Sequence, residues 1–277
     1  MKDNLPDFLC IGVQRGATTW LHQCLAEHPE VFVPKNRKEI EFFSKYRDSG
    51  VEWYRSHFTP ISSNHIRAKG ELTPAYLHEA DFAFMHGVVP DVKLLVILRE
   101  PISRAISAYE LLSDSFPGES FEETAVYTRY FIDMSLYHER LKKLLGIYPR
   151  EQLLVMTYDE VCRDSRLVFQ TVCDFIGVDS GFCPPSLGRR VNQVVFPNLQ
   201  KAVGQTGAKW IGSFVRSNRF LETFVRDLGG RKTNPSFLGS KGFRNKLADL
   251  FDADVESVGK LLDMDLIAWR RAIERFR

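Results

Sequence analysis

Phe8-Leu-Cys-Ile-Gly-Val-Gln-Arg-Gly-Ala-Thr-Thr-Trp-Leu21 is the stretch that decides the fold. An apolar run ends at Gly12. A short turn then carries Arg15, Gly16 and Ala17. Thr18-Thr19 open a segment with Trp20, Leu21, Cys24 and Leu25 at helical spacing. The pattern is a buried strand, a tight turn and a helix. Backbone N–H groups, two hydroxyls and a guanidinium converge on such a turn, and the helix N-terminus adds partial positive charge. The turn is a receptacle for phosphate.

The rest of the chain repeats this alternation. Val92-Lys-Leu-Leu-Val-Ile-Leu98 is nearly all apolar, as a central parallel strand covered on both faces must be. It ends in Arg99-Glu-Pro101, and Pro101 suits the first position of a helix bearing Ile102, Ala105, Ile106 and Tyr109. Val31-Phe-Val-Pro34 is a short extended piece, Ala68 onwards a strand stopped by Pro74, and Gln152–Thr157 another strand. Helical periodicity covers 51–58, 81–85, 135–145, 167–176, 243–251, 255–262 and 266–277, with Gly177 as a C-terminal stop. Ser113–Ser120 reads as a loop. The expected fold class is α/β: a P-loop-like three-layer sandwich with a central parallel sheet and helices on both faces. One domain spans 1–277. Its segment 181–239, rich in Arg, Lys, Asn, Pro and Gly, is expected to form a lid of loops and helices over the active face.

Composition narrows the function. The 277 residues are 44% hydrophobic, enough for a sizeable core. Lys plus Arg number 37 and Asp plus Glu 35, a net charge of +2 that argues against a dedicated nucleic-acid binder. The five cysteines show neither CxxC nor metal-ligand spacing, and read as buried thiols in a reducing compartment. Met1-Lys-Asp-Asn-Leu-Pro-Asp7 has no apolar run of leader type. No stretch approaches the ~18 apolar residues of a membrane span. The expectation is a cytoplasmic protein without a membrane span or bound metal.

A P-loop NTPase needs G-x-x-x-x-G-K-[ST]. Counted from Gly12, this chain has Ala17 and Thr18 where that motif has Gly and Lys. The strand 92–98 ends in Arg99 and not in an Asp that would hold Mg²⁺. A nucleotide is expected; a metal-bridged β/γ-phosphate is not.

Four segments carry a family resemblance. Ile11-Gly-Val-Gln-Arg-Gly-Ala-Thr-Thr-Trp-Leu21 resembles the 5′-phosphosulfate loop of sulfotransferases that use 3′-phosphoadenosine 5′-phosphosulfate (PAPS). Leu98-Arg-Glu-Pro-Ile-Ser-Arg-Ala-Ile-Ser-Ala-Tyr109 resembles that family's 3′-phosphate motif, R-x-P-x-x-R-x-x-S-x-Y. Pro34-Lys-Asn-Arg-Lys-Glu-Ile-Glu-Phe-Phe43 is similar to its P-K-x-K-E-x-x-F-F segment, and Gly70-Glu-Leu-Thr-Pro-Ala-Tyr76 to its G-E-x-T-P-x-Y. The four lie in family order over residues 8 to 110, nearest to the soluble bacterial and heparan-sulfate-type branch.

The resemblance implies transfer of a sulfuryl group from PAPS to a hydroxyl or amine, leaving adenosine 3′,5′-bisphosphate (PAP). It implies donor contacts from Arg15, Gly16, Ala17, Thr18, Thr19 and Trp20 at the 5′ end, and from Arg99 and Ser107 at the 3′-phosphate. Gly229-Gly-Arg-Lys-Thr233 loosely resembles the loop closing over that phosphate, which adds Arg231 and Lys232. Arg15 replaces the family lysine. It keeps its proton near neutral pH, so it can serve as a charge clamp on the departing phosphate and not as an acid. Glu39 maps to the glutamate that serves as general base in the heparan-sulfate branch; the histidine that cytosolic small-molecule sulfotransferases use has no matching motif here. Lys38 and Glu71 are candidate acceptor-side groups. The partner is a small-molecule or carbohydrate acceptor. A nucleotide kinase or NTPase-like enzyme, and a nucleotide-binding relic that has lost catalysis, stand as alternatives.

Overall fold

The computed structural model describes residues 4–34, 37–59, 65–112, 115–116, 119–188 and 239–277. In chain order the first half forms β1 (Phe8–Gly12), α1 (Thr18–Glu27), β2 (Val31–Phe32), α2 (Val51–Ser56), β3 (Ala68–Leu72), α3 (Tyr76–Glu79), α4 (Phe82–Val88), β4 (Lys93–Leu98) and α5 (Pro101–Leu112). The second half adds α6 (Phe121–Thr128), α7 (Tyr130–Asp133), α8 (His138–Leu145), β5 (Leu153–Thr157), α9 (Tyr158–Arg163), α10 (Ser165–Ile176), α11 (Lys241–Leu262) and α12 (Ile267–Phe276).

The strands form one sheet in the order β2-β3-β1-β4-β5, every pairing parallel. Leu9 lies opposite Glu71 on one side and Leu94 on the other. Against β4 the register slips between Cys10 and Gly12, where the chain leaves the sheet. From β1 the next strands build outward on one side and β4 and β5 on the other. The carboxyl end of β1 is therefore the topological switch point, where a crevice opens in sheets of this kind.

Period-two alternation divides the core between the faces. Leu9, Ile11, Leu94, Val96 and Leu98 pack with Tyr76, Ile102, Leu141, Phe251 and Val255 from α3, α5, α8 and α11. Phe8, Cys10, Leu95 and Ile97 pack with Leu21, Cys24, Phe169 and Val172 from α1 and α10. Each fully buried side chain of this size contributes about 1.5–3 kcal/mol. Helices on both faces of a parallel sheet make the three layers expected.

Several details differ from expectation. The helices expected over 243–251 and 255–262 are one helix, α11, because nothing between them breaks it. The helix expected from Ser135 starts at His138, since the Ser135 hydroxyl donates to the Phe131 carbonyl in the turn before it. Of the expected lid, residues 181–188 sit against α1, with the Ser186 hydroxyl donating to Glu27 (2.5 Å). Its remainder, including Arg231 and Lys232, lies outside the described residues, as does part of the Ser113–Ser120 loop. Cys10, Cys24 and Cys173 are buried, but Cys162 on α9 and Cys183 in the irregular segment after Gly181 are exposed. No helix among the described residues is long and apolar enough to cross a membrane.

Candidate active site

The loop after β1 is shaped by one close approach. A Cβ on Gly16 would lie 2.3 Å from the Ile97 carbonyl oxygen, so only glycine lets the loop press onto β4. Arg15 (φ 70°) and Ala17 (φ 71°) on either side are left-handed. Ala17 occupies the N-cap position of α1 and has no side chain that can cap it. The first-turn N–H groups therefore lack the usual side-chain acceptor and face the end of the sheet, a ready anion site. Thr18 is buried and Thr19 exposed. The Trp20 indole packs in the core on the α1 side and donates to the Leu187 carbonyl (3.4 Å), which leaves only its main chain to the loop.

A second cluster forms beside the first. Arg99 leaves β4, and Glu100 caps α5 by accepting from Ile102 N–H (2.9 Å), Ser103 N–H (2.7 Å) and the Ser103 hydroxyl (2.5 Å). That commits Ser103 and leaves Ser107 as the hydroxyl facing the loop. Arg15 Nε donates to Ser107 Oγ (3.0 Å), and Arg99 Nη1 donates to the Arg15 carbonyl (3.0 Å). The Arg99 guanidinium lies 4.5 Å over the Tyr158 ring, and its buried Nε has no partner. Burial, and then the neighbouring Arg99, lower the proton affinity of Arg15. Neither guanidinium has an ion pair among the described residues. Two crowded cations with an orphaned donor fit a phosphate. Arg15 thus spans both clusters: its main chain is in the first loop and its guanidinium is at Ser107. Arg104, by contrast, is fully buried and holds Ser135 (2.6 Å) and the Phe131 carbonyl (2.8 Å), a structural role with no ion pair among the described residues.

The acceptor side is built by the segment before Phe42. Lys38 Nζ donates to Thr19 Oγ1 (3.1 Å) and Glu39 Oε1 (3.2 Å), which brings a cation and a carboxylate to the mouth of the first loop. The Glu39 side chain is 38% exposed. Glu71 does not face the cleft. It is buried and accepts from Thr73 (2.6 Å), Tyr54 (2.7 Å), Tyr76 (3.0 Å) and the Ile40 N–H (3.3 Å). Burial pushes its pKa up, and these donors pull it back. Glu71 therefore anchors the Glu39 segment to β3 and has no ion pair among the described residues.

On the Tyr130 side of the first loop lies a cavity of about 840 Å³ that the sequence did not signal. Tyr130 and Glu79 line it. The Tyr130 hydroxyl donates to Gln14 Oε1 of the first loop (2.7 Å), across 116 residues of sequence. Burial pushes the Glu79 carboxyl up to about 7; Lys45 opposes this, while Glu41 and Glu39 add to it. Tyr158 and Tyr130 were missed because both sit in segments without a readable period. The cavity has no local signature, since α3, α7, α8 and α11 each supply part of it.

Comparison with known proteins agrees with this geometry. Residues 5–222 match the family model described as "Sulfotransferase domain". Heparan sulfate glucosamine 3-O-sulfotransferase 6 of Mus musculus is 30% identical over 222 residues, covering 76% of this chain and 63% of that protein. The membrane-associated sulfotransferase kil1 of Dictyostelium discoideum is 35% identical over 107 residues, 38% of this chain and 22% of that one. The chain thus spans less than two thirds of the length of these relatives. The crystal structure of a sulfotransferase from Alicyclobacillus acidocaldarius superposes with a TM-score of 0.69 at 24% identity, covering 96% of this chain and 98% of that one, which shows a shared fold.

Proposed function

The chain belongs to the sulfotransferase-domain family, and from that premise we propose that it moves a sulfuryl group from PAPS to a hydroxyl of an acceptor. The observation that carries this reading is the pair of adjoining anion sites. The uncapped start of α1 suits the 5′-phosphosulfate. Arg99, Arg15 and Ser107 suit the 3′-phosphate, with the orphaned Arg99 Nε as the donor awaiting it.

Glu39 takes the proton of the acceptor hydroxyl as its oxygen bonds to sulfur. The bond from sulfur to the bridging oxygen breaks, and its electrons stay on the departing phosphate. That group has a second pKa of about 6 and leaves without being protonated. Fixed positive charge then supplies the stabilisation, from the start of α1 and from Lys38, whose ammonium already bonds Thr19, while the Arg15 guanidinium holds the donor at its 3′ end. The acceptor named for the mouse relative, heparan sulfate glucosamine, gives an acceptor screen its polyanionic arm.

Calorimetric titration with PAP, AMP and ATP·Mg²⁺ tests the donor reading. PAP should bind at least about tenfold tighter than AMP, and Arg99→Ala should remove the difference. Equal affinity for PAP and AMP would overturn it. Glu39→Gln should lower turnover about 10²–10⁴-fold while PAP affinity holds, as expected for loss of a general base. Arg15→Lys should retain activity that Arg15→Ala loses.

A further inference from the structure

Resting on the reading above, we propose that the cavity on the Tyr130 side of the first loop is the acceptor site and that it selects an amphiphile with an apolar body and an ammonium group, held by Glu79 and His78. Such an acceptor is sulfated on a separate hydroxyl, because a protonated amine is no nucleophile.

Position comes first. Glu79 and Tyr130 form the wall nearest the chemistry, and Tyr130 is tied to Gln14 in the first loop. Both side chains feel the Glu39 charge, which marks this wall as the one toward Glu39.

Charge comes second. Four carboxylates line the cavity, Glu79, Asp133, Glu139 and Asp254, against one guanidinium, Arg140. Two of the Arg140 N–H groups are committed elsewhere. They donate to the carbonyls of Leu77 (2.7 Å) and Ala80 (3.0 Å), and the guanidinium stacks 4.6 Å over Phe82. Asp133 pairs with Arg129 (3.1 Å), and Asp254 accepts the N–H groups of Tyr137 (2.9 Å) and His138 (3.1 Å). The Glu79 carboxylate has no hydrogen bond or ion pair among the described residues. Among the described residues the lining carboxylates outnumber the one lining cation, Arg140, so a polyanionic acceptor would meet net repulsion here.

Hydrogen-bond polarity is the third and independent observation. His78 Nε2 lies 3.1 Å from the Leu136 carbonyl, so it carries the hydrogen, and the buried Nδ1 is left as an acceptor without a partner. Burial lowers the ring's pKa to about 3, which keeps it neutral. The hydroxyls on the wall are already donating: Thr128 to the Thr124 carbonyl (3.2 Å), Ser257 to the Ala253 carbonyl (2.9 Å) and Tyr130 to Gln14. Among the described residues the spare acceptors of this wall outnumber its spare donors, an imbalance that an ammonium with its N–H groups complements. Met134, Leu136 and Leu250 give the apolar body its contacts.

Three phenols that differ in one substituent test this: tyramine (ammonium), 4-ethylphenol (uncharged) and 4-hydroxyphenylacetate (carboxylate). Each is titrated calorimetrically into PAP-saturated and PAP-free protein near pH 8, where Glu79 is ionised. Tyramine should bind roughly tenfold or more tighter than 4-hydroxyphenylacetate, with 4-ethylphenol between them. Glu79→Gln should remove the tyramine preference and leave PAP affinity unchanged. Three results would overturn the inference: no tyramine binding, a carboxylate probe that binds as well, or a preference that survives Glu79→Gln. The PAP titration separates the two readings. Protein that binds PAP without the charge preference loses only this inference, whereas protein that shows the preference but ignores PAP loses the donor assignment.

Discussion

At Ala17 a methyl-bearing residue holds φ 71°, a conformation that costs an L-residue about 1–2 kcal/mol over glycine. Ala17→Gly should raise stability by about 0.5–1 kcal/mol, net of the extra freedom glycine gives the unfolded chain. Thermal melts at matched PAP concentration would read this as a rise in Tm, and a fall would mean that the Ala17 methyl makes contacts outweighing the strain. Gly16 behaves oppositely. The added Cβ of Gly16→Ala meets main-chain oxygen at 2.3 Å, so the loop must move off β4. Loss of about 1–3 kcal/mol and of PAP binding is expected from denaturant melts and calorimetry. At this scale the sequence was legible where a motif names the residue: Arg15, Arg99, Ser107 and Glu39 were all singled out, and the structure brings them to one end of the sheet. Glu71 shows the limit. Its four donors come from three separate segments, so the same letter could equally have been a cleft residue until burial decided.

At the scale of elements, α8 begins on a borrowed cap. Asp254, in the middle of α11, accepts the N–H groups of Tyr137 and His138 more than a hundred residues away. Asp254→Ala should cost about 1–2 kcal/mol in a denaturant titration, and Asp254→Asn less, since an amide oxygen still accepts. A cost below a few tenths would show that water replaces the cap. The helices α6 and α9 were readable and went unread. Each opens on a capping box, Ser120 with Glu123 and Thr157 with Glu160, the spacing that marks a helix start in sequence. The four-residue α7 had no such mark. The long α11 looked like two helices because Asp252-Ala-Asp254 interrupts its apolar period, although those acids serve Arg270 and α8.

For the whole molecule, the alternation of strands and helices foretold a parallel sheet with covered faces, because hydrophobic period records burial. Strand order left no trace in that pattern; it depends on which crossover goes to which side of β1. Whole-molecule stability should also carry the imprint of the cavity. Glu79 has its pKa raised to about 7, so the folded state keeps a proton that the unfolded chain releases at about 4.5. Stability contributed by that proton is present at low pH and fades as pH rises from about 4.5 through 7. The loss is on the order of 2 kcal/mol once partial exposure to the cavity is allowed for. Urea titrations at pH 5 and pH 8 should show a smaller loss across this window in Glu79→Gln than in the parent. Equal losses would mean that the carboxyl titrates as in water.

The central position of β1 bears on how the chain is made. Its two sheet neighbours, β3 and β4, are completed only at Leu72 and Leu98. At about 5–20 residues per second, the five residues of β1, all buried in the finished fold, wait roughly 4–17 s on the ribosome before both sides can be covered. During that interval Phe8, Leu9, Cys10 and Ile11 form an apolar strand with two bare edges. Pauses in translation before codon 98 should therefore lower soluble yield, while pauses after it should have little effect on yield.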